Sequence, residues 1–159
     1  EELFHYHKKP RYRVLSESLV AADGPTAKLL DCKAGTKWLR FEASRHHAGV
    51  RDPISYTEFF VDPAYPEVGE SLRRRNPLIY SFIERHFEER VIEMQQQVAA
   101  VAMPARAAAE LKVAARSPGL HVVRRFAVHG HKVIAVSSSI YPAGRFEVRT
   151  RWKVEWNRE

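Results

Sequence analysis

The 159-residue sequence predicts a single α+β domain, built as an antiparallel sheet of about six strands with short helices packed on one side. Three observations lead to this prediction. Apolar and polar residues alternate with period two in several runs along the chain. Short polar turns join many of these runs, which is typical of antiparallel hairpins. The helical patterns between the runs are brief, and no repeat or linker divides the chain.

The N-terminal part of the chain predicts three strands and a short helix. The strands are expected over residues 12–20, 37–47 and 54–61. A polar turn that contains Gly49 and ends at Pro53 separates the second strand from the third, so these two strands are expected to form a hairpin. Residues 27–32 are expected to form the helix, and Gly35 lies just beyond it as a stop signal.

Four elements are predicted in the middle of the chain: a turn or two of surface helix over residues 63–75, a helix over 77–89, a strand over 91–103 and a short helix from Pro104 to before Ser117. The longer helix has the clearest signal. Asn76 followed by Pro77 is an N-cap with proline at the first helical position. Apolar residues then recur on one helical face, including Ile79, Phe82 and Phe87.

The C-terminal part predicts an antiparallel meander of three strands. Runs over 120–128 and 132–141 are joined by the short stretch 129–131, which is the spacing of a β-hairpin. Residues 141–145 then turn the chain into a last run, 146–156, in which apolar and charged residues alternate. This run is expected to be a half-buried strand with one solvent-exposed face.

Composition excludes several classes of protein. With 45% hydrophobic residues, the chain is too apolar for a disordered protein. No apolar run reaches the roughly 18 residues that a membrane-spanning helix needs. Cys32 is the only cysteine and cannot form an internal disulfide. A soluble, cytoplasmic protein is therefore expected.

The net charge of +7 invites a nucleic-acid interpretation. However, the charge is dispersed, and the densest basic run, Arg73-Arg74-Arg75, is flanked by glutamates and is expected at a solvated helix end. No zinc finger, RNP motif, GxxG loop or helix-turn-helix pattern is present. Direct nucleic-acid binding by this chain is kept as an alternative.

One predicted strand carries the most informative pair of polar residues. On the strand over 37–47, period two places Arg45 and His47 at the end of an apolar face. An unpaired guanidinium is costly to bury, so Arg45 must form an ion pair, reach solvent or line a cavity that receives an anion. A structural ion pair and a ligand cavity are equally good explanations at this point.

The facing strand supplies a carboxylate to the same region. Glu58 lies on the face that also carries Ile54, Tyr56 and Phe60. It is a candidate structural partner of Arg45, or else a second ligand-binding group.

Other chemistry is poorly supported. The eight histidines do not have metal-ligand spacing, so no metal site is predicted. Ser137-Ser138-Ser139 lacks the context of a nucleophile elbow, and Cys32 has no nearby base in sequence. No catalytic residue and no cofactor is predicted.

The order of elements and the residues at their junctions resemble a known family. The features that carry the resemblance are Arg45, Pro53-Ile54, Glu58, Val61, Leu78-Ile79-Tyr80, Met103, Ala107 to Leu111, Pro118, Arg124-Arg125 and Tyr141-Pro142-Ala143-Gly144-Arg145-Phe146. Over about residues 14–156, the chain resembles the effector-binding (UTRA, chorismate-lyase-like) domain of GntR-type transcription regulators, HutC subfamily.

The resemblance implies a bacterial repressor or activator. In such a protein an N-terminal winged helix-turn-helix binds operator DNA, while this domain binds a small metabolite and forms a homodimer. Residues 1–13 would be the remnant of an interdomain linker and residues 14–159 the effector-binding and dimerisation domain. The sequence is accordingly expected to be a fragment that lacks the DNA-binding half.

The resemblance also implies a set of site residues. Sugar-phosphate-sensing members use two arginines, a hydroxyl residue with a tyrosine at a helix start, and an acidic residue. Arg45 and Tyr80 match two of these positions, whereas His47, Leu78 and Ala135 occupy the other three.

The Arg45-His46-His47 run is closer to members that sense histidine-degradation intermediates or other small carboxylates. Arg45 would bind a ligand carboxylate in bidentate fashion. His47 and Tyr80 would donate hydrogen bonds, and the polar wall would be completed by Ser137, Ser139 and Tyr141. A chorismate-lyase-like enzyme, which would also bind a carboxylate through arginine, is the alternative on the same fold.

Overall fold

The computed structural model describes residues 11–47, 49–65 and 91–153. The described elements are β1 (Arg11–Ala21), α1 (Gly24–Leu30), β2 (Lys37–His46), β3 (Ser55–Val61), β4 (Glu93–Ala102), α2 (Ala105–Leu111), β5 (Pro118–Val128) and β6 (Lys132–Pro142). A short 3-10 turn, His129–His131, joins β5 to β6. The helix predicted over 77–89 and most of the surface helix predicted over 63–75 lie outside the described residues.

The six strands form one sheet in the order β1-β2-β3-β6-β5-β4. Every pair of neighbouring strands is antiparallel. This confirms the predicted fold class, and both predicted hairpins, β2–β3 and β5–β6, are present. Among the described residues, no helix is long and apolar enough to cross a membrane.

The sheet has two chemically different faces, since side chains alternate along each strand. On one face, which we call the helix face, α1 packs against Trp38, Phe60 and Val136, and α2 packs against Tyr56 and Ile140. The two described helices therefore cover opposite ends of the same face, as predicted. The other face, which we call the Arg45 face, has an apolar cluster of Phe41, Ala43, Phe59, Val61, Phe126 and Ala135 at one end.

Helix α1 begins earlier than predicted because the sequence contains a cap that the pattern of apolar residues does not show. The Asp23 carboxylate accepts a hydrogen bond from the Thr26 amide at 2.9 Å, and Pro25 lies in the first turn. This hydrogen bond lowers the pKa of Asp23. The helix ends at Asp31, which is left-handed with φ of 54°, so the predicted stop at Gly35 is wrong.

The strand predicted over 146–156 is wrong in its described part. Residues 146–153 form no strand, and residues 154–156 lie outside the described chain. The reason is topological: β6 is hydrogen-bonded to β3 on one side and to β5 on the other. Because β6 has no free edge, the segment that follows it cannot add a third meander strand there.

A charged network occupies the middle of the helix face, between the two helices. Glu42 on β2 is 5% exposed and accepts hydrogen bonds from Arg106 of α2 at 2.5 and 2.7 Å, and from Ser16 and Tyr56. Arg40 bonds both Glu42, at 3.2 Å, and Glu58. These contacts link β1, β2 and β3 to α2.

The network controls the ionisation of its two buried acids. Burial alone would raise the pKa of Glu42, but hydrogen bonds from Arg106, Ser16 and Tyr56 and the charge of Arg40 outweigh it and lower that pKa to about 2. Burial, together with the hydrogen bond to Glu42, raises the pKa of Tyr56 to about 12. Glu42 is therefore ionised and Tyr56 neutral across the physiological range.

We expect Glu42→Gln to destabilise the fold by about 1–3 kcal/mol at neutral pH, because a charge-assisted acceptor is lost. The folded pKa of Glu42 lies below its ordinary value of 4.5, so its contribution is complete above that pH and is lost as the pH falls towards 2. In urea unfolding at several pH values, the gap between wild type and Glu42→Gln should shrink through this window. A gap that stays constant would contradict the assignment.

Gly119, at the start of β5, is expected to tolerate no side chain. A Cβ added there would lie 2.9 Å from the Tyr141 carbonyl oxygen and 3.0 Å from Cε of Met103. We predict that Gly119→Ala destabilises the fold by about 1–3 kcal/mol, because the neighbouring strand cannot move away.

Gly24 is the matched control, because a Cβ there meets no atom within 4 Å. Gly24→Ala should leave the free energy of unfolding unchanged or raise it slightly. Equal losses in the two variants would contradict this explanation.

Candidate anion-binding site

Arg45 lies at the end of β2, on the Arg45 face, and is only 6% exposed. The strand register places it opposite Ser55 of β3 and Tyr12 of β1. It follows Phe41 and Ala43 on the same face, so the side chain projects from the end of an apolar surface. The alternative in which Arg45 reaches solvent is therefore excluded.

Hydroxyl groups line the sheet next to Arg45. Thr57 and Ser139 face each other across β3 and β6, with 2.9 Å between their oxygen atoms. Ser55 lies 3.3 Å from Thr57, and the Tyr141 hydroxyl accepts a hydrogen bond from Arg45 at 3.5 Å. All four hydroxyl residues are buried. They place neutral donors and acceptors beside a fixed positive charge.

Ser137 lies one step further along β6, on the same face and opposite Phe59. It is 6% exposed and belongs to the border between the hydroxyl-lined end and the apolar cluster. The structure thus brings Arg45, Ser139 and Tyr141 together and places Ser137 at their margin.

Aromatic rings pack against both Arg45 and Tyr141. The guanidinium carbon of Arg45 lies 6.0 Å from the centroid of the Tyr12 ring, which in turn meets Phe59 edge-on at 5.3 Å. Tyr141 stacks on Phe146 with 3.9 Å between ring centroids. The tyrosine that bonds Arg45 is therefore held by packing as well as by its hydroxyl group.

Arg145 anchors the turn that follows β6 through two hydrogen bonds to the backbone. Its Nη1 donates to the Pro53 carbonyl at 2.7 Å and to the Leu111 carbonyl at 2.9 Å. Gly144, with φ of 80°, supplies the left-handed residue that this turn needs. Arg145 consequently fastens the turn to the β2–β3 hairpin and to the end of α2.

Glu58 does not lie beside Arg45, so the alternative in which it is the structural partner of Arg45 is wrong, and as a predicted effector-binding residue it is on the opposite face from Ser139. Arg45 pairs in register with Ser55, and Glu58 pairs with Glu42, which places both carboxylates on the helix face. Glu58 instead bonds Arg40, with 2.8 Å to its Nε. The prediction failed because alternation was applied to each strand separately, without the register that relates their faces.

In β2, β3 and β6, no carboxylate is on the Arg45 face. Glu42 and Glu58 are the acidic residues of β2 and β3, and β6 contains none. Any carboxylate that reaches Arg45 from the Arg45 face therefore comes from outside these three strands, either from another segment or from a bound molecule.

Two predicted site residues are not placed beside Arg45 by the described structure. His47 follows the end of β2 and is half-buried, and its carbonyl accepts a hydrogen bond from the Val50 amide at 3.1 Å. Tyr80 lies outside the described residues.

Three residues next to Arg45, namely Tyr12, Ser55 and Thr57, were not predicted from the sequence. The alternation that put Glu58 with Tyr56 also puts Ser55 and Thr57 on the opposite face of β3. The signal was present, but it required the hairpin register that pairs Ser55 with Arg45.

The site suits an anion with additional polar groups. A guanidinium binds a carboxylate through two parallel hydrogen bonds, and the adjacent hydroxyls can donate or accept. Nowhere in residues 11–47, 49–65 and 91–153 do three His, Cys, Asp or Glu side chains converge as metal ligands would.

Comparisons with known proteins agree with this architecture. The ligand-binding domain of a GntR-family transcriptional regulator from Bordetella bronchiseptica superposes with a TM-score of 0.75 at 18% identity, over 95% of this chain and 94% of that chain. The effector domain of PhnF from Mycobacterium smegmatis gives a TM-score of 0.75 at 20% identity, over 91% of this chain and 88% of that chain. At these identities the likeness shows the fold.

A crystal structure of PhnF from the same organism matches with a TM-score of 0.74 at 20% identity, over 92% of this chain but only 64% of that chain. A comparison with curated protein sequences found no significant match. The family model of the UTRA domain, however, matches residues 5–147. Because this model spans most of the sequence, the chain belongs to the UTRA domain family.

Proposed function

We propose that this chain is the effector-sensing domain of a bacterial GntR-type transcription regulator of the HutC subfamily. It binds a small acidic metabolite at Arg45 and thereby modulates operator binding by an attached DNA-binding domain. The proposal includes a cytoplasmic homodimer that acts as a repressor. Operator DNA is contacted through that other domain, and no membrane or catalytic role is assigned to this one.

A single observation carries the ligand proposal: a buried guanidinium projects into a hydroxyl-lined end of an otherwise apolar sheet face. An ion pair with Glu58 would have explained Arg45 without any ligand, but Glu58 lies on the opposite face and bonds Arg40. A ligand carboxylate would meet a guanidinium that is buried and bordered by hydroxyl groups.

The roles of the neighbouring residues follow from their chemistry. Arg45 would hold the ligand carboxylate, and Tyr141, already bonded to Arg45, would fix the orientation of the guanidinium. Ser139 and Thr57 would bond a second polar group, because their hydroxyls can rotate from each other to a ligand. His47 and Tyr80 remain in the proposal as hydrogen-bond donors, as the family resemblance implies, and Ser137 would contact the far end of the ligand.

The position of Tyr12 offers a route from ligand to DNA. Tyr12 lies opposite Arg45 at the beginning of β1, whose first residues overlap the predicted linker over residues 1–13. A ligand that shifts Arg45 would change the packing of this ring and so the exit of the linker. Ligand and operator would then be coupled through two arrangements of β1, and the coupling would be reciprocal.

The relatives support this role by what they are: the matched proteins are a ligand-binding domain and an effector domain of transcription regulators. The chorismate-lyase-like enzyme is supported less well. The side chains of β2, β3 and β6 on the Arg45 face include no carboxylate that could act as a general acid, because Glu42 and Glu58 are on the helix face.

The test is a thermal-shift screen of small carboxylates and sugar phosphates against wild-type protein. We expect at least one carboxylate to raise the melting temperature by several degrees, because a ligand at about one hundred times its Kd adds about 2.7 kcal/mol. Arg45→Ala should abolish the shift, and Arg45→Lys should weaken it, since lysine keeps the charge but not the bidentate geometry.

Lys37→Ala is the matched control, because it removes an exposed cation from the other end of β2. Its ligand response should equal that of wild type. An unchanged response in Arg45→Ala would place the ligand elsewhere, and release of pyruvate from chorismate would favour the enzyme instead.

A further inference from the structure

A cavity lies on the helix face of the sheet, on the opposite side from Arg45. It is formed by α1 together with β4 and β5 and has a volume of about 340 Å³, which is within the range of small-molecule sites. The residues that line it are Pro25, Lys28, Leu29, Gln97, Ala99, His121, Val123 and Arg125.

The strand side of this cavity follows from the register of β4 and β5. Gln97 pairs with Val123 and Ala99 pairs with His121, so these four side chains lie on the same face of the sheet. Arg125 comes two residues after Val123 and shares that face. Val123 packs in the apolar cluster that contains α1, which identifies this face as the helix face.

The other side of the cavity is one face of α1. Pro25, Lys28 and Leu29 have the i, i+3, i+4 spacing at which side chains are neighbours on a helix surface. Arg125 joins this helix to the sheet, because its Nε donates a hydrogen bond to the Leu29 carbonyl at 2.9 Å. That bond fixes the guanidinium at the cavity and leaves its Nη groups available for a ligand.

The cavity carries positive charge without a carboxylate to balance it. Lys28 and Arg125 are two cations, and none of the eight lining residues, all of which the structure describes, is acidic. Lys28 is exposed, and neither cation forms a salt bridge within the described part of the chain. A cleft lined by charge of one sign concentrates ions of the opposite sign, so this cavity attracts anions.

Two further side chains add hydrogen-bonding groups to the cavity. Nε2 of His121 lies 2.8 Å from Oγ of Ser138, so Nδ1 is the ring nitrogen that remains for a ligand. Burial lowers the pKa of His121 below its ordinary value of 6.5, against the opposing effect of Glu58, and the imidazole is therefore mainly uncharged at neutral pH. The exposed Gln97 contributes an amide that can both donate and accept.

This combination suits a phosphate group better than a carboxylate. A phosphate monoester carries nearly two negative charges at neutral pH and three acceptor oxygens, which match two cations with several donors. Arginine binds phosphate through two parallel hydrogen bonds, and lysine binds it as a point charge. Leu29, Ala99 and Val123 make the remaining lining apolar, so the rest of the ligand would be apolar as well.

We propose that this cavity binds a small phosphate monoester with an apolar group, whose phosphate is held by Lys28 and Arg125. The site is distinct from the carboxylate site at Arg45, because the two sites lie on opposite faces of the sheet. The inference goes beyond the proposed sensing function and does not depend on it.

Isothermal titration calorimetry with phenyl phosphate tests the proposal. Wild-type protein should bind this probe, and Lys28→Ala and Arg125→Gln should each raise its Kd about tenfold or more, because each removes a charged partner of the phosphate. Lys33→Ala is the matched control, since it removes an exposed cation just after α1 that does not line the cavity. Its Kd should equal that of wild type.

Lys28→Ala is the decisive variant. Arg125 also bonds the backbone of α1, so the melting temperature of Arg125→Gln is needed to separate lost binding from lost folding. Lys28 is exposed and makes no such bond within the described residues, so its variant reports on binding alone. Phenol, which lacks the phosphate, should bind at least about tenfold more weakly than phenyl phosphate.

Arg45→Ala separates this site from the one on the other face, and it should leave the Kd of phenyl phosphate unchanged. If Arg45→Ala abolished binding and Lys28→Ala did not, the phosphate would occupy the Arg45 site and the proposal would be overturned. Equal affinity in wild type and Lys28→Ala, or no binding of phenyl phosphate at millimolar concentration, would overturn it too. None of these results would refute carboxylate sensing at Arg45, which the thermal-shift screen tests separately.

Discussion

A sheet whose central side chains are buried on both faces must find a place for every charged side chain in its central strands. Here the two faces do so differently. On the helix face, Glu42 gathers Arg40 and Arg106 into a network in which each charge has a partner. On the Arg45 face, a cation is surrounded by hydroxyl groups at the end of an apolar surface. In the proposed function, this separation of charge leaves the helix face as a scaffold and the Arg45 face for ligand binding.

The features that could be predicted from the sequence are those that depend on local pattern. The ranges of the six observed strands, both hairpins and the position of Arg45 at the end of an apolar face follow from alternation and turn residues. Features that depend on how distant strands meet were missed: the opposite orientation of Arg45 and Glu58, and the hydroxyls of Ser55 and Thr57 beside Arg45. A register difference of one residue moves every side chain to the other face, and alternation in one strand carries no information about it.

The last segment shows the same limit at the level of topology. Its alternation from Phe146 onward predicts a strand, but residues 146–153 form none, because β6 already has a neighbour on each side. A sequence pattern indicates that a segment can pair, but it does not identify a strand with a free edge for it to pair with.

The most direct test of this account is whether a bound carboxylate touches Arg45 itself. The measurement is the NMR resonance of the Arg45 Nε–H group, assigned by its disappearance in Arg45→Lys, during titration with a carboxylate that stabilises the protein. The account predicts a saturating shift of this resonance with the same Kd as the thermal response. Saturable binding that leaves the Arg45 resonance in place would contradict it.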